Sequence, residues 1–262
     1  AYVSAKYYLL ASPSTDANFE DWNQEFYMTG FTGTDDPGNS FKSVITRNEV
    51  AGTWPNPGNT TDIITNGTGY MCYLGNDGIG TNMPKTLNLT ANVKTGGLTR
   101  AGLTNTDNEI STLNNDGWHL LGNPYACPII WDNVWANQGA PGNMNATAMR
   151  KLNNGAYAAI PGGGTVASGE AFWVFAENAL PDGTVEFQEN DKSPTAADGY
   201  NTKYIGPPLS FNIVLKQGTY EDAPTEVILT NTHLNFQTSV GYDMFLDAAK
   251  RSNQVGKENI AT

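Results

Sequence analysis

The sequence predicts an all-β, mostly antiparallel fold. It would be built from duplicated β-sandwich or jelly-roll-like units with short helical turns and a C-terminal hairpin. Three observations predict this. Short apolar runs recur between clusters of Gly, Asn, Asp and Pro, as strands do between turns. Charged residues make up only 15% of the 262 residues, against about 25% in average proteins. Asn, Thr, Ser and Gly take their place, and these suit turns and exposed strand faces better than helix surfaces. Finally, the landmarks of one stretch return in the same order in a second stretch, the mark of internal duplication.

The duplication begins with "KYYLLASPS" (Lys6 to Ser14) and "GWHLLGNPY" (Gly117 to Tyr125). Each holds an aromatic, a Leu-Leu pair, two small residues and a proline. Proline cannot extend a strand ladder, and it pushes the residue before it towards an extended conformation. The small polar residue there, Ser12 or Asn123, can satisfy a loose backbone group at the corner. A short amphipathic segment follows each proline. Phe19, Trp22 and Phe26 line one helical face, with Thr15 or Asp16 as the expected cap. In the second copy Pro128 is expected to open a helical turn that pairs Ile130 with Val134 and Trp131 with Trp135.

Further on, "NGTGYMCYLGNDG" (Asn66 to Gly78) matches "ASGEAFWVFAENALPDG" (Ala167 to Gly183). Apolar residues at both parities predict strands covered on both faces. "TLNLTANV" (Thr86 to Val93) and "TVEFQEN" (Thr184 to Asn190) alternate instead, as half-exposed strands do. After the copies, "LSFNIVLKQG" (Leu209 to Gly218) and "TEVILTNT" (Thr225 to Thr232) read as a hairpin. Tyr242, Phe245, Leu246 and Ala249 then form a helical stripe. The expected division is 1–108 for a first unit and 109–192 for a related second one. Residues 193–262 would be a linker plus a hairpin segment packing on the second unit.

At these residues the chain resembles modules of large secreted surface proteins of Bacteroidota that use type IX secretion. "WHLLGNPYACPIIWDN" is similar to that family's W-x-L-x-GNPYPSPIDW pattern, and "SGEAFWVFA" to its G-Q-G-F-W-V strand. "YYLLASPST...GFTGTD" resembles the family's W-R-x-L-S-S-P opening, and "EDAPTEVIL...SVGYDMFLDAAK" its D-x-T-x-I-x-F...F-D-x-x-x-D-A-x-K close. Cys127, Ile130, Glu170 and Ala171 depart from those patterns. The resemblance implies export, β-sandwich modules and cell-surface or matrix roles, without implying a catalytic activity. The family's secretion domain would follow the D-A-x-K close, so the resemblance implies an internal fragment or a form trimmed of its signal.

Charge narrows the partners. The net charge is −12 and the pI about 4.4. Nucleic-acid backbones and anionic lipid surfaces demand clustered Lys and Arg, which are scattered here. There is no apolar run of 18 or more residues, so no transmembrane helix and no membrane insertion is expected. "AYVSAKYYLL" lacks a signal peptide's basic start and long apolar centre. The stretch is therefore expected to be cytosolic or a processed or internal piece of an exported protein, and with the resemblance an extracellular or outer-surface location is expected. Cys72 and Cys127 could pair or serve as small core residues.

Catalytic patterns are weak. His119 stands where the other copy has Tyr8, which suits a packing residue with a polar tip better than a base. His233 has no ligand-spaced neighbours. "PGGGTVASGE" lacks a Gly-Lys-Ser ending and reads as a flexible turn. Asp21, Asp132 and Glu170 flank aromatics, but a glycosidase needs two acids facing each other, and caps explain these acids as well. No catalytic residue, cofactor or enzymatic activity is expected; a hydrolase is the third reading and would require two acids converging in a cleft. Calcium is the one ion that the oxygen-rich turns around Asp35, Asp36, Asp77 and Asp107 admit, although Asx turns explain the same residues without metal. Of six tryptophans, Trp118 and Trp173 are expected in the core, and Trp22 and Trp131 as lids over the sheet ends. Trp54 and Trp135 are the expected exposed surface for a sugar or a neighbouring subunit. The sequence therefore points to a non-enzymatic structural or adhesin-type surface module, a filament or stalk subunit in one version. Its partners would be copies of itself, other surface proteins or glycans. The alternative is a glycan-binding module of a larger secreted protein.

Overall fold

The computed structural model describes residues 6–75, 87–106, 116–137, 143–152, 155–177 and 182–194, and beyond them the backbone of strands between 209 and 260. Among the described residues the chain is mostly antiparallel β-structure with two short α-helices. It divides into two compact units, Ala1–Ile205 and Gly206–Thr262. In the first half of the larger unit lie β1 (Lys6–Leu10), α1 (Phe19–Asn23), β2 (Val44–Ile45), β3 (Tyr70–Leu74) and β4 (Leu98–Leu103). In the second half lie β5 (Trp118–Gly122), β6 (Ile129–Ile130), α2 (Trp131–Asn137), β7 (Met149–Lys151), β8 (Tyr157–Ala159), β9 (Thr165–Val166), β10 (Ala171–Phe175) and β11 (Gly183–Phe187). The smaller unit contains β12 (Leu209–Ile213), β13 (Lys216–Gln217), β14 (Tyr220–Glu221), β15 (Thr225–Leu229), β16 (Lys250–Ser252) and β17 (Glu258–Ile260).

The two halves repeat each other in register as well as in order. In the sheet β1-β3-β2, Leu10 faces Tyr70 and Tyr8 faces Cys72. In the sheet β5-β10-β7-β8, Leu121 faces Phe172 and His119 faces Val174. The third strand repeats too, with Ile45 opposite Met71 and Met149 opposite Trp173.

Successive residues of a strand point to opposite faces, and the burial divides accordingly. Tyr8, Leu10, Tyr70, Cys72 and Leu74 enter a first-half core with Phe19 and Trp22. Leu121, Phe172 and Val174 enter a second-half core with Trp131 and Val134. The other parity, Leu9, Ala11, Leu120, Ala171 and Trp173, forms a third cluster drawn from both sheets, with Met71, Trp118 and Met149 packed against it. The central strands are thus covered on both faces, which is why they are apolar at both parities.

Hydrogen bonds cross between the halves in reciprocal pairs. Ala11 N donates to Gly169 O at 3.0 Å, and the equivalent Gly122 N donates to Gly67 O at 3.0 Å. The bridges Leu10–Glu170 and Thr68–Leu121 lie beside them. Each half therefore ends its first strand on the turn that opens the other half's central strand. Each such bond contributes only about 0.5–1.5 kcal/mol, whereas burying each large apolar side chain of the shared layer contributes about 1.5–3 kcal/mol. The layer holds the halves together, and the bonds set their register.

The helices close the outer faces. Phe19 of α1 stands edge-on to Tyr70 at 5.3 Å, and Trp131 of α2 stands edge-on to Phe172 at the same separation. The cap of α1 is Asn18, not Thr15 or Asp16. Asn18 Oδ1 accepts from Asp21 N, and Asp21 Oδ2 accepts from Asn18 N, a reciprocal capping box. Thr15 and Asp16 instead bind Asn92, through Thr15 N to Asn92 O and through Asn92 N and Nδ2 to the Asp16 carboxylate. The second helix starts at Trp131, not at Pro128, because Ile129 and Ile130 pair with Val166 and Thr165 as β6 and β9.

The alternating stretch of the second half forms β11, which pairs with β4. The matching Leu87–Val93 is not a ladder strand among the described residues. Leu87, Leu89 and Ala91 still pack against the first-half core, and the stretch meets the chain after β1 through the Ser14–Val93 bridge and its flanking hydrogen bonds. Within the smaller unit, β12 and β15 pair antiparallel, with Leu209 opposite Leu229. The expected stripe from Tyr242 to Ala249, and the packing of 193–262 on the second repeat, lie outside the described residues.

A buried ion pair braces the turn before β10. Arg150 Nε lies 3.5 Å from Glu170 Oε1, both side chains being buried. Glu170 Oε2 accepts from Ala167 N at 2.8 Å, and Arg150 also donates to Thr165 O. Removing one partner of such a pair strands the other charge. Arg150→Met is therefore expected to cost about 3–5 kcal/mol in urea unfolding, and Arg150→Met with Glu170→Leu to recover most of it. The crossing makes a second prediction. A Cβ on Gly122 would sit 2.3 Å from the Ala11 Cβ and 2.8 Å from Thr68 O. Gly122→Ala should cost about 1–3 kcal/mol by overpacking. Gly38→Ala, where a Cβ meets nothing within 4 Å, should change stability by less than about 0.5 kcal/mol.

Candidate functional site

Two pre-proline corners and one buried carboxylate fix the ends of the second sheet. Asn123 Nδ2 lies within hydrogen-bond reach of the carbonyls of Cys127, Val166 and Ala167, and its Oδ1 accepts from Tyr125 N. One amide thus satisfies the backbone that proline leaves loose. Asn66 Nδ2 reaches Ser12 O and Pro124 O, both at 3.0 Å, and so ties the two corners together. At the other end Glu49 is buried. Its carboxylate accepts from Thr106 N, Gly117 N, Thr104 Oγ1 and Thr106 Oγ1. Burial alone would raise its pKa, but these hydrogen bonds outweigh it and hold the carboxyl below the usual range.

Glu49 therefore anchors the chain entering β5, where a concavity opens. A cavity of about 390 Å³ is lined by Asn105, Asp116, Trp118, Asn145, Thr147 and Phe175. Trp118 and Phe175 face each other across β5 and β10, with ring centroids 5.1 Å apart and planes at 52°. Asn105 Nδ2 donates to Ala176 O at 3.1 Å. Asn145 Nδ2 donates to Glu177 Oε1 at 3.0 Å, and its Oδ1 accepts from Thr147 N at 2.9 Å. The amides are thus held in place around an aromatic wall.

Trp118 departs from expectation. It is half-buried and borders the cavity instead of lying inside the core. Trp173, Trp22 and Trp131 are buried as expected, and Trp131 Nε1 donates to Ala146 O at 2.7 Å. Trp54 is 37% exposed. It stands edge-on to Trp173 at 5.8 Å, with the Arg47 guanidinium 5.5 Å from its ring centre. Trp135 is half-buried against the second-half core, 6.4 Å from Trp131. The structure does not bring Trp54 and Trp135 together as one surface: Trp54 leans on the shared layer and Trp135 on the outer core.

The acids are engaged locally. Asp35 Oδ2 accepts from Met28 N, and Asp36 Oδ2 from Asn39 Nδ2, as turn-forming side chains do. Asp77 and Asp107 lie outside the described residues. Among the described residues, no three His, Cys, Asp or Glu side chains converge as a metal set. Asp21 caps α1, Asp132 Oδ2 accepts from Gly163 N, and Glu170 faces Arg150. These three serve separate turns and do not face one another across a cleft. Cys72 and Cys127 are free thiols, and burial pushes both up.

Comparison with known proteins brings no relative: no family profile, curated protein or solved structure matches this chain.

His119 gives the site end a pH response. Its Nε2 lies 2.7 Å from Thr104 O, which accepts the ring proton. Burial lowers its pKa below 6.5, opposed by that bond and by Glu49. The unfolded chain therefore binds this proton more readily than the folded one. The contribution is present above about pH 6.5 and is lost as pH falls through the lower folded value. Urea unfolding should show stability declining as pH falls below about 6.5. His119→Gln, which takes up no proton there, should flatten that part of the curve. Glu49 acts lower, its share fading as the carboxylate protonates.

Proposed function

We propose that this chain is a non-enzymatic secreted or cell-surface module of structural or adhesin type. One observation carries the reading: the duplicated halves interlock through reciprocal strand-end hydrogen bonds and a shared apolar layer. Such a body resists separation of its halves and can hold recognition surfaces at a distance from a cell. The acidic surface and low charge content support an extracellular setting. The resemblance of the Gly-Asn-Pro corner and the Phe-Trp-Val strand to type IX-secreted surface proteins supports the same setting. Among the described residues no helix is long and apolar enough to cross a membrane. Partners would be copies of this chain, other surface proteins or glycans, without a catalytic step or cofactor; calcium would at most brace the Asx-rich turns.

Glycan binding is the second reading, and the cavity walled by Trp118 and Phe175 favours it. Both are tested first on intact producing cells. An antibody against this chain should label unpermeabilised cells, and external protease should remove the label. Labelling that needs permeabilisation would contradict a surface role. Electron microscopy of the native assembly tests the filament version, which fails if the full-length protein is a dispersed monomer at high concentration.

A further inference from the structure

The internal duplication supplies its own control for the cavity. Counting by strand register, Trp118 and Phe175 of the second half correspond to Tyr7 and Tyr73 of the first, which face each other across β1 and β3. A third, partly exposed ring lies beside that first pair. Phe41 stands 5.9 Å from Tyr7 and 5.2 Å from Tyr73, and Tyr7 and Tyr73 are themselves 5.3 Å apart. Phe41 precedes Ile45, the residue paired with Met71, by four positions; Asn145 precedes Met149, the residue paired with Trp173, by four. The segment that contributes this ring in the first half thus reads Asn145-Ala146-Thr147 in the second. Where three rings cluster in the first half, the described residues of the second place two rings and a set of amide, hydroxyl and carboxylate groups around a cavity.

We infer that the cavity between Trp118, Phe175, Asn145, Thr147, Asn105 and Asp116 is a binding site for a neutral sugar unit of a glycan. The inference rests on the recognition reading above and names its ligand. Small-ligand sites usually enclose about 300–1,000 Å³ with apolar walls and a few polar groups that fix orientation, and this cavity of about 390 Å³ is of that kind. A pyranose presents apolar C–H faces to aromatic rings and hydroxyls to amides, which suits Trp118 and Phe175 on one side and Asn105, Asn145 and Thr147 on the other. Asn105 has used Nδ2 on Ala176 O, which leaves its Oδ1 to accept. Asp116 in the lining and Glu177 beside Asn145 place negative charge at the cavity, on a chain of net charge −12. A uronic acid or sulfated sugar would be repelled, and a neutral one would not.

The test is titration of the full chain with cellohexaose, xylohexaose, mannohexaose and chitohexaose, and with hexagalacturonate as the anionic counterpart. Calorimetry and tryptophan fluorescence would report binding. The expected result is saturable binding of at least one neutral oligosaccharide and none of hexagalacturonate. N145F, which sets the ring of the matching first-half position at the cavity, should abolish binding with the thermal midpoint kept. N105A should weaken it about tenfold, and it decides the matter if N145F does not fold. W54A and W135A should bind as the parent does. Silence of every neutral oligosaccharide at about 10 mM, binding that survives N145F in a folded chain, or binding lost in W54A would each overturn the site. Surface labelling of intact cells is read separately, so failure of the cavity and failure of the surface role remain distinct.

Discussion

The larger unit depends on the crossing of its two halves. Each half has a three-strand core motif, a helix over its outer face and a corner made by a small polar residue and proline. Neither half finishes its inner face alone. Leu9 and Ala11 lie against Leu120, Ala171 and Trp173, and Ala11 and Gly122 each donate into the other half's turn. An extended strand end needs a partner for its backbone groups, and here the partner is supplied by the duplicate. This explains the small residues at the crossing. Gly122 must lie against Ala11 and Thr68 O, and Gly69 against Leu121 O and Ala171, at distances that leave no room for a larger side chain.

Duplication also lets the halves diverge without losing the frame. Matched positions carry different chemistry under the same backbone pairing. Thr68 stands where the second half has Glu170 with its Arg150 partner. Tyr8 stands where the second half has His119; the tyrosine is fully buried and the histidine half-buried. The first half sets Phe41 beside Tyr7 and Tyr73, whereas the second has a cavity beside Trp118 and Phe175. The hydrogen-bonded frame keeps these changes local. One end of the second sheet can become polar while the shared layer and the two outer cores stay apolar.

Much of this was legible in the sequence, because repeat, period and turn chemistry are local properties. The paired "LLASP" and "LLGNP" segments marked the strand ends. The both-parity apolar runs marked the covered strands, and the role of Asn123 as a corner amide followed from the proline after it. What was not legible depends on partners distant in the chain. Asn18 displaced Thr15 and Asp16 as helix cap because those two are drawn to Asn92. Ile129 and Ile130 became a strand because Thr165 and Val166 lie beside them. Trp118 had the pattern of a core residue, but it borders a cavity, and the position that matches Phe41 is Asn145. Only a position-by-position comparison of "FKSVI" with "NATAM" could have hinted at that. Glu49, in the loop after β2, gave no local sign that it would gather donors from Thr104, Thr106 and Gly117.

The two halves form one cooperative body joined at the strand crossing. Native-state amide hydrogen exchange measures this most directly, because buried amides exchange either by global unfolding or by smaller openings. The Ala11 and Gly122 amides are expected to exchange with one common free energy equal to that of global unfolding, together with the amides of β3 and β10. Exchange of Ala11 or Gly122 through an opening of clearly lower free energy, with β3 and β10 still protected, would contradict this and make the halves separate folding units.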